Sequence, residues 1–393
     1  MLLLSSCSGI AYYSQLLGGQ FTLWQQRQPI EQLMVDNSLD PQLKRQLQKI
    51  MALRQFAVAR LGLPDSASFH YYNDLNRSHV LWNVFAAEEF SVEPKRWCFP
   101  IAGCVAYRGY FSRRAAIDYA QQLRGQGYDT FVGGVSAYST LGWFADPVLS
   151  SFVYRDEAEL AALIFHELAH QQLYQLGDTA FNESFATAVA IAGVTRWYQS
   201  RADGLSELTV DHRSGSKVAE DMRRNRDLQR AFVELLMVAR ADLAALYQQD
   251  LSAPLMRSQK QLILTQLREV NFRDFKQRWP GGEKYQHWFD PRSDDHEVLS
   301  GQGSKAKSSG NSAGNRHQRQ NRAIKSAYSN GAINNARLNT VASYNQWLPA
   351  FQVLLRDCEQ NLPCFYQRAT ELAALDVAPR LQRLRVLSRA DGR

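Results

Sequence analysis

The chain has 393 residues, 45% hydrophobic and 11% aromatic, enough for one large core or two smaller ones. It holds no apolar run of about 18 residues, so no membrane-crossing helix is expected. The net charge is +7, but six basic residues and no acid fall within 303–326 (Lys305, Lys307, Arg316, Arg319, Arg322 and Lys325), so the rest is near balance and no nucleic-acid partner is expected.

The chain opens "MLLLSSCSGI". Leu4-Ser5-Ser6-Cys7 resembles the lipobox of a bacterial lipoprotein signal, in which the cysteine receives the lipid. Acyl chains on Cys7 would supply the two-chain anchor that stable membrane attachment needs. Ser8 resembles the sorting pattern for the outer membrane. The expectation is a signal remnant and anchor over 1–19, and a lipid-anchored envelope protein facing the periplasm.

Residues 20–62 read as helical from apolar spacing at i, i+3 and i+4, with Asp40-Pro41 as N-cap and first helical position. Residues 79–110 change period and, rich in Val, Phe, Trp and Tyr with Gly and Pro breaks, read as strands. Ser112 caps a further helix, and "YDTFVGGVSAYSTLGWF" reads as one or two strands. Residues 157–199 read as helix, broken at Gly177-Asp178. Long amphipathic helices follow over 216–249 and 253–279. Residues 292–328 are rich in Ser, Gly, Asn, Gln and Arg and are expected to be disordered. Helix resumes near Asn335. The fold class is α+β, predominantly helical, with a small sheet before the 157–199 segment. The main domain is expected over 20–291, with C-terminal helices over 329–393 packed on it.

That segment contains His166-Glu167-Leu168-Ala169-His170, the HExxH pattern. On a helix, positions i and i+4 share one face, so both imidazoles can bind one ion. Glu167 then lies beside the ion, placed to take a proton from a water that zinc makes acidic. A catalytic site needs a third protein ligand and one open position. Glu183 is the candidate: Gly177 ends the first helix, Asp178 or Thr179 caps the second, and an antiparallel turn brings Glu183 towards His170. The bland alternative is a polar i, i+4 pattern on an ordinary helix.

Four of the five cysteines form two close pairs, Cys98 with Cys104 and Cys358 with Cys364. Each pair could close a disulfide loop if the backbone turns suitably; otherwise all five are reduced, buried thiols. Residues 138–144 could act as an edge strand that pairs with an extended peptide, using Tyr138, Thr140 and Gly142, or could be a plain core strand.

"VLWNVFAAEEFSVEPKRWCFPIAGCVAYRGYF", "GYDTFVGGVSAYSTLGWFADPVL", "IFHELAHQQLYQLGDTAFNESFATAVA" and "NNARLNTVASYNQWLPAF" together resemble a zinc aminopeptidase family of proteobacterial envelope lipoproteins, a gluzincin-like group. The likeness spans nearly the whole chain except 292–328. It implies a zincin-like metallopeptidase with one zinc per chain, His166, His170 and Glu183 as ligands and Glu167 as base. A tetrahedral intermediate also needs an oxyanion stabiliser, for which Tyr138, Tyr344 and the Asn334-Asn335 pair are candidates. Asn182 is expected near the site or as a helix cap, and Thr187 as a weak orienter of a ligand histidine. The rival reading is a non-catalytic envelope lipoprotein that keeps its zinc for structure or for a partner.

Overall fold

The computed structural model describes residues 5–99, 103–137, 140, 144–202, 215–289 and 333–390. The N-terminal part runs α1 (Ser5–Gln26), β1 (Gln28–Pro29), α2 (Ile30–Val35) and α3 (Pro41–Leu61). Asp40 caps α3 by accepting from Leu43 N–H, with Pro41 at the first helical position. The strands follow: β2 (Tyr71–Asn73), β3 (Leu81–Glu88), β4 (Trp97–Phe99), β5 (Gly103–Val105), β6 (Arg108–Tyr110) and β7 (Tyr128–Val135), with α4 (Arg113–Gly125) before β7 and β8 (Val148–Leu149) after it. Two helices then carry the site, α5 (Glu157–Gln172) and α6 (Thr179–Ala202). The remainder is helical: α7 (Gly215–Leu246), α8 (Ala253–Gln266), α9 (Phe272–Arg278), α10 (Asn335–Asn345), α11 (Leu348–Asp357), α12 (Leu362–Ala373) and α13 (Val377–Ala390). The chain is mostly helical with small sheets, an α+β fold. The proposed disordered stretch 292–328 lies outside the described residues.

The strands form three small sheets: mixed β1-β2-β8, antiparallel β6-β3-β7, and the β4-β5 hairpin. The β3–β7 ladder runs from Leu81 opposite Val135 to Glu88 opposite Tyr128. Strand β7 therefore ends at Val135, earlier than the sequence suggests. Among the residues beyond it, Tyr138 and Gly142 lie outside the described residues.

Packing divides into clusters. The largest joins α3, α5 and α6 to α11, α12 and α13, with Leu47, Ile50, Phe165, Phe181, Phe185, Phe351 and Phe365 fully buried. A second gathers Phe232, Phe272, Phe275 and Phe289 on α7–α9 and the segment after them. A third seats α1 and α4 on the β6-β3-β7 sheet. Cys98–Cys104 and Cys358–Cys364 are both at disulfide distance and are bonded.

A polar brace ties the α7–α9 cluster to the sheet. Lys260, buried on α8, donates to Glu89 O at 2.8 Å and to the Asp129 carboxylate at 2.7 Å. Asn335 donates its N–H to the same carboxylate, gives its side-chain amide to Glu88 O and Glu89 O, and accepts from Tyr247. Removing Lys260 would leave Asp129 without its cation in a largely buried place. Lys260→Ala is expected to lower stability by about 3 kcal/mol, read as a fall in the urea midpoint, whereas Lys260→Arg keeps most of it.

Candidate metal centre

Helix α5 forms because "EAELAALIFHELAHQQ" is rich in strong helix formers. Asp156 caps it by accepting from Glu159 N–H at 2.8 Å, and Glu157 and Glu159 suit the positive end of its dipole. Leu160, Ala161, Ile164, Phe165, Leu168 and Ala169 are buried in the main core. The remaining face presents His166 and His170, one turn apart.

The turn from α5 to α6 sets how the two helices meet. Gly177 takes a left-handed φ of 77°. Asp178 caps α6 by accepting from Phe181 N–H. Asn182 reaches back across the turn, accepting from Gln175 N–H at 2.7 Å and donating to Gln175 O at 2.8 Å. Asn182 thus fastens the turn and is not available to a ligand. At the far end of the antiparallel pair, Glu157 accepts from Trp197 Nε1 and pairs with Arg201. Phe181 and Phe185 bury α6 against Phe351 and Phe365, which turns Glu183 to the opposite face, towards α5.

The resulting geometry is tight. His166 Nε2 lies 3.1 Å from Glu183 Oε2 and 3.1 Å from His170 Nε2, and His170 Nε2 lies 3.7 Å from Glu183 Oε2. The three residues are buried or half-buried and form the group that could hold a metal ion among the described residues. Protons alone satisfy this arrangement poorly. If His166 Nε2 donates to Glu183 it cannot accept from His170; if it accepts, its lone pair faces the carboxylate. A divalent cation would satisfy all three lone pairs together. Donors about 2.0–2.1 Å from a tetrahedral zinc lie about 3.3 Å apart, which the observed separations bracket. The donor set, two imidazoles and one carboxylate, suits zinc. His170 Nδ1 is buried without a hydrogen-bond partner among the described residues, so the backing group usual for a ligand histidine is absent on that side.

The electrostatics agree with a cation-shaped space. Burial pushes His170 down to about 4, so it is neutral and its lone pair free. Burial also opposes charge on His166, but the hydrogen bond and charge of Glu183 outweigh it and leave His166 above its usual value. Burial raises Glu183, yet His170 and His166 more than offset this and hold it below the ordinary carboxylate range. Glu167 stands beside them, half-buried. Burial lifts it to about 7; His166 opposes the shift, while the nearby carboxylates of Glu183 and Asp146 add to it.

Tyrosines surround this cluster. Tyr344, near the end of α10, stacks on His166 with ring centres 5.9 Å apart, which brings its phenol under the charge of Glu183. The charge of Glu183 and burial raise the Tyr344 phenol well above its ordinary value, so it stays protonated and able to donate. Tyr174 lies with its ring 6.4 Å from His170. Tyr107, between β5 and β6, is held up by burial and then by the charges of Glu183 and Glu167. Tyr107 and Tyr174 were not singled out from the sequence. Tyr174 follows His170 by four residues and was legible in principle; Tyr107 reaches the site only through the tertiary fold.

Other candidates are placed elsewhere. Asn335 is fully buried and saturated at the Asp129 brace, so it is no oxyanion donor. Asn334 caps α10 by accepting from Arg337 N–H and donates to Thr130 O. These two asparagines anchor the start of the helix whose end carries Tyr344. Thr140 gives both its N–H and its hydroxyl to Asp146, so its N–H is not free to pair with a peptide strand. Thr187 is half-buried one turn beyond Glu183. Cys7 falls within α1.

A family model described as "Putative aminopeptidase" matches residues 11–304 and 304–384. The chain belongs to that family. No curated protein and no solved structure matches it. In this member of the aminopeptidase family, the disulfide hairpin β4-β5 braces the α5–α6 turn. Arg96 bonds both Cys104 O and Gly177 O, and Ala106 N–H reaches Thr179 Oγ1 at 3.3 Å. Gly103, at φ 71°, lies so close that a Cβ there would come 2.7 Å from Gly177 N. From the other side, buried Arg380 of α13 binds the Asp178 carboxylate at 3.2 Å and the carbonyls of Ala373 and Leu375. The Gly103→Ala variant should therefore lose at least about 1–2 kcal/mol from the left-handed backbone alone. Displacing the turn should also weaken metal binding by about tenfold or more, measured by competition with a chromogenic chelator.

Proposed function

We propose that this aminopeptidase-family protein is a zinc-dependent peptidase of gluzincin type, acting on peptides as an aminopeptidase. The observation that carries the reading is the convergence of His166 Nε2, His170 Nε2 and Glu183 Oε2, with Glu167 beside them and Tyr344 over His166. His166, His170 and Glu183 would hold one zinc ion per chain. When bound, the ion supplies Lewis acidity to a peptide carbonyl and makes a water acidic near neutral pH.

The side chains account for the remaining chemistry. Glu167 takes the proton of the attacking water on its carboxylate and passes it to the leaving amine. Its half-buried position beside other carboxylates suits a group that must both accept and release a proton near neutral pH. The Tyr344 hydroxyl, carried on a ring stacked over His166 and close to Glu183, would donate to the developing oxyanion. We place the protein at the cell envelope, anchored through lipid on Cys7 and facing the periplasm, on the strength of the lipobox-like segment and the two disulfides.

The test is Glu167→Gln beside the unaltered protein, both assayed for zinc content and for release of amino acids from unblocked peptides. The expected result is retained zinc with activity lower by about 10²–10⁴-fold. Unchanged peptide hydrolysis in Glu167→Gln would refute the assignment. If the unaltered protein holds zinc but hydrolyses neither free nor amino-blocked peptides, the ion is structural. Tyr344→Phe is expected to lower kcat by about 10²-fold with little change in KM, as loss of a transition-state donor does.

A further inference from the structure

Helix α1 spans Ser5–Gln26 and carries no charged side chain. At the chain's 21% charged content, a segment of its 22 residues would hold four or five. Its inner face is occupied. Tyr12 packs on Phe99, Tyr110 and the Arg108 guanidinium; Gln15 accepts from Phe111 N–H; Leu23 is buried in the main core, with its carbonyl bonded by Asn73. The other face is not covered. Tyr13 is 43% exposed, Leu17 72%, Phe21 55% and Trp24 51%. At about 100° per residue these positions fall within one arc of roughly 80°, a continuous stripe along the helix. Phe21 and Trp24 stack on each other with ring centres 6.2 Å apart, and Trp24 is followed by Arg27, which lies over its ring.

We propose that the outer stripe of α1 lies in the headgroup region of a lipid bilayer, with the helix parallel to the membrane plane. The chemistry favours lipid over another protein. Tyr, Phe and Trp are the side chains that settle at the membrane–water boundary, and an uncharged helix enters it without desolvating an ion. No described helix is long and apolar enough to cross a membrane, so α1 would rest on the bilayer instead of spanning it. Arg27, at the end of the stripe, suits anionic headgroups. Cys7, the position of the lipobox-like segment, lies on the same helix, so an acyl anchor there would bring the stripe to the surface it fits. The stripe also stands on its own, independent of both that anchor and the peptidase reading.

The experiment uses the full chain with Cys7→Ser, so that no acyl group contributes. It is sedimented with vesicles of phosphatidylethanolamine containing a minor fraction of phosphatidylglycerol. A second chain adds Leu17→Gln, Phe21→Gln and Trp24→Gln, and the single variants Leu17→Gln and Trp24→Gln are run beside it. Circular dichroism and thermal midpoints establish that each is folded. The expected result is vesicle binding by the Cys7→Ser chain that falls about tenfold or more in the triple variant and by less in each single one. Absence of vesicle binding by the Cys7→Ser chain overturns the proposal. So does equal binding by folded single variants. A vesicle-free dimer that the substitutions dissolve also overturns it, because the stripe would then be covered by a second copy.

Discussion

His166 Nε2, His170 Nε2 and Glu183 Oε2 are held 3.1–3.7 Å apart in a largely buried space, an arrangement that protons alone satisfy poorly. That constraint explains much of the architecture around α5 and α6. Two imidazoles one helical turn apart come from a single helix and cost little to align. The third donor, Glu183, belongs to a different helix, so its position depends on how firmly the two helices are locked. An error of an ångström there would turn a metal site into a loose ion pair.

The molecule locks that junction from several directions. Asn182 ties the turn internally. The β4-β5 hairpin, closed by Cys98–Cys104, presses Gly103 against Gly177 and adds Arg96. Arg380 arrives from the C-terminal helix to bind Asp178. Glu157, with Trp197 and Arg201, fixes the opposite end of the helix pair. Residues far apart in sequence therefore serve one junction, which gives the C-terminal helices and the hairpin a role at the site without contact with the ligand atoms. The same logic extends to α10: the Asn334-Asn335 anchor at its start decides where Tyr344 falls at its end.

What was legible in the sequence follows the range of each interaction. The i, i+4 histidines, the glycine break and the inward glutamate are local patterns, and the grouping of His166, His170 and Glu183 could be read from them. The paired cysteines were visible from spacing, although only the backbone shows that both pairs close. Asn335 could not be judged locally: nothing near it announces that Asp129, Glu88, Glu89 and Tyr247 consume its hydrogen bonds. Tyr107 and Arg96 matter through contacts with residues about 60 to 80 positions away, beyond any periodicity. Strand β7 ends at Val135, and Thr140, five residues on, gives its N–H and hydroxyl to Asp146 and not to a strand partner. In helix α1 the lipobox-like pattern around Cys7 is local, whereas the exposed stripe of Tyr13, Leu17, Phe21 and Trp24 is defined only by which face the fold leaves uncovered.

The most direct test of the metal-centre account is anomalous diffraction at the zinc edge from crystals of the full chain grown with equimolar zinc. The account predicts one strong peak per chain, bonded by His166 Nε2, His170 Nε2 and Glu183 Oε2 with a further position open beside Glu167. Absence of a peak there, with the three side chains still hydrogen-bonded to one another, would contradict it.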